Sequence, residues 1–435
     1  MKGTLIEWLF LVILAIGSLA TALIGNEDIS LGFAAFSTIV YGIICRNSAI
    51  SFNQNILLLF SLLLLLVLAT YRIMFDLEAV QAYIANDMEM RNKVVSYGGS
   101  LVQLLMMGAY VGMLSTRKTT FHNTNAITRF FKPSFVFLMV VAWVPLVANF
   151  FLYLLFFRGR PYVDIHIYAH GPLGLILKTI YLTYGAIIIM AIGGYSKDRA
   201  FRAAKWIILG IFVLFGLLLQ LRSPLLLAVL LFVYFFGQRV SSKMLIVWAM
   251  VSVLALAAIG VMRDPEAAQS DVSAGLITSL LGLGEFADAL RFALERSEIG
   301  QPMWGWGIVG SFLGITEPLA NTYAKMIAPD YFDEGGGFGF FFLADMVMNF
   351  GKMGALVVMF MLGFVLVRLY YSGGLIRTYV FLPILFGNLF GLVRNDIGST
   401  FRGVIYALLA VVVIRYGWIL IRSVTTSSSA GNEAG

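Results

Sequence analysis

The sequence predicts an all-α, polytopic membrane protein of about twelve membrane-spanning helices, with one large outer loop between the ninth and the tenth. Three observations carry that expectation. Of 435 residues, 60% are hydrophobic and only 12% are charged, a composition that cannot be wrapped around one water-soluble core. Apolar runs recur at roughly 5–24, 31–45, 55–75, 98–115, 134–157, 171–193, 204–221, 224–237, 244–262, 338–367, 379–393 and 403–421, most of them near the ~20 residues a spanning helix needs. The loops between these runs alternate in charge.

The first run, in "MKGTLIEWLFLVILAIGSLATALIG", has the charge of a signal peptide but the length of a span, and reads as an uncleaved first helix. Loops after even-numbered runs hold "RKTTFHNTNAITRFFK", "SKDRAFRAAK", "QRVSSK" and "RLYYSGGLIR"; loops after odd-numbered runs hold "NEDIS", "DLEAVQAYIANDMEM" and the long acidic segment after Arg263. Because Lys and Arg collect on the cytoplasmic side, both termini are expected in the cytoplasm. The net charge of +7 then reports topology, and no nucleic-acid partner is expected. The chain divides into the first nine helices (1–262), the large loop (263–337), helices ten to twelve (338–422) and a Ser/Thr/Gly-rich tail (423–435) expected to be disordered.

Within the large loop, Leu280, Phe286, Leu290 and Leu294 recur at near-helical spacing while Glu285, Asp288, Arg291 and Glu295 face elsewhere. That pattern predicts an amphipathic helix on the outer membrane surface. The Trp- and Gly-rich "QPMWGWGIVGSFLGITEP" follows it, and suits a segment that dips into the interface or folds over a cavity.

Absences narrow the chemistry. Cys45 is the one cysteine, so no disulfide and no Cys-based metal site forms within one chain. "GWGIVG" matches G-x-G-x-x-G but follows no strand, and no Walker A, H-E-x-x-H or G-x-S-x-G sequence occurs,. His166 and His170 lie four apart in a loop without clustered carboxylates, and His122 is alone. Neither a metal nor a cofactor is expected.

Ionisable residues near the outer helix ends are the remaining chemical resource: Arg222 in "LQLRSPLLL", Arg263 in "GVMRDPEAA", Lys178 in "LILKTIY", and Arg394 and Arg402 around the turn before the last run. Each alone reads as a snorkelling anchor or a salt-bridged turn. Together they oppose the positive-inside bias, which implies something anionic to compensate them. In the tenth run Asp345, Asn349 and Lys352 fall at i, i+4 and i+7, one face of a helix,; a self-neutralising Asp345–Lys352 network is the plainer alternative. Gly335, Gly336 and Gly337 precede that helix and could offer backbone N–H groups to a phosphate or act as a hinge. Guanidinium forks suit a lipid-borne diphosphate. They would stabilise it as it departs, while a carboxylate takes a proton from an acceptor hydroxyl.

"RSPLLL", an Arg closing the helix before a large loop, "GGGFGF", an acidic residue, "NFGKMG" and a short Arg-bracketed turn together resemble the Wzy-type O-antigen or oligosaccharide repeat-unit polymerases. The resemblance covers roughly residues 222–403. It implies a bacterial inner-membrane glycosyltransferase that transfers a growing glycan from undecaprenyl diphosphate to a lipid-linked repeat unit on the periplasmic face, without a metal. Its partners would be that lipid-linked donor and acceptor, membrane lipid and a chain-length regulator. By the same resemblance Arg222, Arg263, Arg394 and Arg402 bind diphosphate, and Asp345 or Glu285 is the base. Read from the residues themselves, Lys178 and Lys352 are further cations, and Asp396 orients Arg394 or Arg402 through a charge-assisted hydrogen bond. Asp345 is shorter than the Glu expected there. O-antigen ligases share the architecture, but their loop resembles a His-containing one and no His follows His170 here. A lipid-linked oligosaccharide flippase would also need about twelve helices and a basic cavity.

Overall fold

A computed structural model describes residues 17, 26–46, 56–75, 88–115, 133–157, 173–192, 284–327, 329–330, 339–371 and 381–432. The expected spans at 204–221, 224–237 and 244–262 lie outside the described residues, as does nearly all of 5–24. The described elements are helical: α1 (Glu27–Arg46), α2 (Ile56–Phe75), α3 (Met88–Ser115), α4 (Phe135–Leu152, continued by a π turn Tyr153–Phe157), α5 (Leu173–Lys178), α6 (Ile180–Ile192), α7 (Glu285–Ile299), α8 (Trp306–Leu313), α9 (Leu319–Ile327), α10 (Phe342–Tyr371), α11 (Leu382–Gly387), α12 (Leu389–Arg394) and α13 (Ile397–Asn432). Six of them, α1, α2, α3, α4, α10 and α13, are long and apolar enough to cross a membrane. This is the build of a polytopic membrane protein. α13 runs on through residues 423–432, where the sequence predicts a disordered tail.

The chain forms two compact units. One comprises Met1–Thr120, Gly237–Gly373 and Asn388–Arg402; the other comprises Phe121–Phe236, Gly374–Gly387 and Gly403–Gly435.

In the first unit α3 is the hub, packed against α1, α2, α7 and α10. Its contact with α10 is a seam of small residues. A Cβ on Gly108 would collide with the Phe360 carbonyl, and one on Gly363 with the Leu105 carbonyl. Backbones therefore touch directly, the way helices associate where lipid removes any hydrophobic drive. The opposite face of α10 exposes Met353, Val357, Met361 and Val365, one residue per turn, an apolar stripe that suits a helix in contact with lipid.

α10 is not the straight helix the sequence predicts over 338–367. Gly351 has φ 70 and ψ 174 inside it, a conformation open to glycine. The carbonyls freed by that break are taken up by the preceding segment: the Met303 N–H donates to Met348 O at 3.2 Å and the Gly305 N–H to Asn349 O at 3.3 Å. Such repair is what lets irregular backbone persist beside a membrane.

α7 also departs from expectation. It packs on α2, α3 and α10 and buries Phe286, Ala287, Ala289, Leu290, Ala293 and Leu294, so protein covers the apolar face predicted to lie on lipid. Three alanines let the helix come close. Its charges are neutralised locally, with Arg291 bonded to Asp288 at 2.7 Å and to Glu295 at 3.3 Å.

In the second unit α4 and α6 pack together. The Thr183 hydroxyl donates to Ala142 O at 2.9 Å, and the buried Asn149 amide donates to Pro145 O, Ile176 O and the Thr179 hydroxyl.

Candidate functional site

Three segments far apart in sequence meet at one end of the first unit. α12 ends at Arg394, and the Arg394 carbonyl accepts the Phe340 N–H. The Arg394 guanidinium lies over the Phe286 ring, 5.4 Å from its centroid. Between them sits Gly339, where a Cβ would collide with the Phe286 ring and stand 3.2 Å from Arg394 Cγ. Phe286 follows Glu285, the first residue of α7, so the start of α7, the end of "GGGFGF" and the predicted arginine share one neighbourhood. Gly335, Gly336 and Gly337, Arg222 and Arg263 lie outside the described residues, as does the side chain of Glu285.

The turn between α12 and α13 is shorter than expected, only Asn395 and Asp396, and Arg402 stands within the second turn of α13. Asp396 caps that helix: its Oδ1 accepts the Ser399 N–H at 2.9 Å, an N-cap bond that satisfies a donor the helix leaves open,. It also accepts the Ser311 hydroxyl at 2.7 Å and the Ser399 hydroxyl at 2.6 Å. Asp396 reaches Arg402 through a relay, in which Arg402 Nη2 donates to the Ser399 hydroxyl at 3.4 Å. No carboxylate lies within ion-pair distance of Arg402 among the described residues.

Asp345 is buried, 1% exposed. One oxygen accepts the Ile397 N–H at 2.7 Å and the other the Asn349 amide at 2.6 Å. Asn349 in turn accepts the Ile308 N–H at 3.2 Å. The carboxylate thus sits at the positive end of α13, tying α10, α13 and the start of α8 together. Lys352 does not join this network, because the break at Gly351 turns it off the expected stripe. Its ammonium pairs with Glu298 at 2.7 Å, and that hydrogen bond holds the Glu298 carboxyl below the usual glutamate range,. Lys178 belongs to the second unit, 5.8 Å over the Tyr406 ring.

A charge cluster the sequence does not announce braces the same end of the first unit. Glu27 accepts from Arg91 at 3.0 Å and pairs with Arg72 at 3.3 Å, and Arg72 reaches Asp28 at 2.7 Å. The Tyr323 hydroxyl donates to Asp288 at 2.9 Å. Burial first, and Asp288 second, raise the Tyr323 phenol above its ordinary value, while the Asp288 hydrogen bond raises Arg291. Both stay protonated at any physiological pH. Ser311 and Ser399 are likewise invisible to spacing rules, although Asp396 with Ser399 three residues on is a readable N-cap pattern.

Compared with known proteins, the chain matches no family model, no curated relative and no solved structure.

Proposed function

We propose that the chain is a metal-independent polysaccharide polymerase of a bacterial inner membrane, with about twelve spans, both termini cytoplasmic and its site facing the periplasm. It transfers a growing glycan from undecaprenyl diphosphate to a lipid-linked repeat unit. One observation supports the reading: the Arg394 guanidinium lies over the Phe286 ring and against Gly339, which brings a predicted arginine to the first turn of α7 and to the segment that leads into α10. A diphosphate gripped there would be met by forked donors.

In this reading the acceptor hydroxyl attacks the anomeric carbon of the donor. The bond to the diphosphate oxygen breaks with its electron pair, and undecaprenyl diphosphate leaves, its charge taken up by Arg394 and Arg402. The hydroxyl proton passes to a carboxylate. We assign that role to Glu285 in preference to Asp345, because both Asp345 oxygens are occupied and shielded. Lys352, paired with Glu298, and Lys178, over the Tyr406 ring in the second unit, have no part in this reading.

The break in α10 favours one second reading, a lipid-linked oligosaccharide transporter, because discontinuous helices commonly line transport sites. Proteoliposomes loaded with lipid-linked repeat units separate the two. A polymerase lengthens the glycans; a transporter only relocates them, and relocation without lengthening overturns the proposal.

A further inference from the structure

We propose that residues 303–315 form a hook seated in the membrane interface, with phospholipid at the headgroup–acyl boundary as its partner. The hook would serve a polymerase or a transporter equally, and it stands on the geometry of the first unit alone.

Depth follows from the charges. The Lys352–Glu298 pair is exposed, as is the Lys93–Glu89 pair on α3, and exposed ion pairs belong in water or among headgroups. The Tyr97 hydroxyl donates to the Lys352 carbonyl, so α3 and α10 share this level. From there α10 runs to Tyr371 and α3 to Ser115, about 20 and 19 residues, or roughly 30 Å each at 1.5 Å per residue. One hydrocarbon thickness fits that length. Lys352 therefore marks a boundary of the bilayer core.

The segment 303–315 is pinned to that boundary. Met303 and Gly305 bond the carbonyls just before the Gly351 break, Ile308 bonds Asn349, and Ser311 bonds Asp396. On its inner side Gly307, Gly310 and Ser311 are buried. On its outer side Trp304 is 78% exposed, Trp306 54%, Leu313 57% and Ile315 64%. No charged residue occurs from Met303 to Thr316. In water such a patch would be an uncompensated exposure of apolar surface; at the boundary it is where tryptophan rings settle, apolar body inward and N–H toward headgroups. The backbone is shaped for it. Gly305 and Gly314 turn the chain into and out of α8 at φ 81 and 73, and Trp304 itself holds φ 52, a conformation bulky residues rarely adopt.

The test uses the full chain with Cys45→Ala and single cysteines at Trp304, Leu313 or Ile315, each carrying an environment-sensitive fluorophore, in phosphatidylcholine–phosphatidylglycerol vesicles. Met361→Cys, on the exposed stripe of α10 and about 14 Å beyond Lys352 at 1.5 Å per residue, reports the acyl region, and Lys325→Cys on α9 reports water. Lipids with a nitroxide near the headgroup should quench the three hook positions at least ~2-fold more than lipids with a nitroxide deep in the chain, as befits burial of roughly 5–10 Å. Met361 should show the reverse order. Iodide quenching of the hook equal to that at Lys325 would place it in water and overturn the proposal. So would protection from both quenchers, which means that protein, such as a second copy, covers it. Leu313→Cys and Ile315→Cys keep both tryptophans, so the depth is still read if Trp304→Cys disturbs the turn.

Discussion

Asp345 in α10 and Ile397, the first residue of α13, are joined at 2.7 Å by a hydrogen bond from the Ile397 N–H to the Asp345 carboxylate. A side chain of one helix thus completes the first turn of another. Asp345→Asn keeps the shape but offers an amide where both neighbours are donors, so one buried donor is left unmatched. The expected loss is about 1–3 kcal/mol, seen as a lowered thermal unfolding midpoint in detergent. A normal midpoint with abolished elongation would instead mark Asp345 as a proton acceptor.

Arg394 and Arg402 separate a phosphate grip from an anchor. Arg394→Lys and Arg402→Lys preserve charge and lose the fork. Each is expected to insert at normal levels and to lose most glycan elongation, roughly tenfold or more if about 1.4 kcal/mol of transition-state binding goes. Cell-surface glycan ladders measure this, and full-length ladders from both variants would reduce the two arginines to anchors.

Glu285→Gln should abolish elongation without lowering the thermal midpoint, because the amide cannot accept the acceptor's proton. Proteoliposome turnover close to that of the unaltered chain would remove the base assignment.

Gly363 leaves no room for a side chain against the Leu105 carbonyl and the Ala109 N–H. Since both obstacles are backbone, Gly363→Ala must push α3 and α10 apart, at a cost of roughly 1–3 kcal/mol. Gly32, where an added Cβ would meet nothing within 4 Å, is the control; Gly32→Ala should leave the unfolding midpoint unchanged or slightly raised.

The Lys352–Glu298 pair gives a pH signature. Lys352 lowers the Glu298 carboxyl pKa, so whatever the pair contributes is present at neutral pH and is lost as pH falls through that lowered value. The difference in thermal midpoint between the unaltered chain and Glu298→Gln should be greatest near neutrality and vanish in acid. A difference that grows toward acid would contradict the pairing.

The helices are legible in the sequence because apolar length is a strong signal: the runs at 31–45, 55–75, 98–115 and 134–157 reappear as α1 to α4 with shifted ends. The convergence of Arg394 with the start of α7 is legible only as a set of residue types, since no spacing rule brings positions 286, 339 and 394 together. The break at Gly351 is hidden because one glycine in an apolar run reads as helix, and what opens it is the chain at 303–305, distant in sequence. An amphipathic stripe cannot say whether lipid or protein will cover it, and α7 took protein.

The glycine seam between α3 and α10 has a mechanical consequence. With no layer of side chains between the two backbones, the seam has nothing to repack, so it admits no larger residue and fixes the spacing of the pair. Gly351, the one described residue of α10 with non-helical backbone, stands between that seam and the end that carries Asp345, and is the point where α10 bends at least cost.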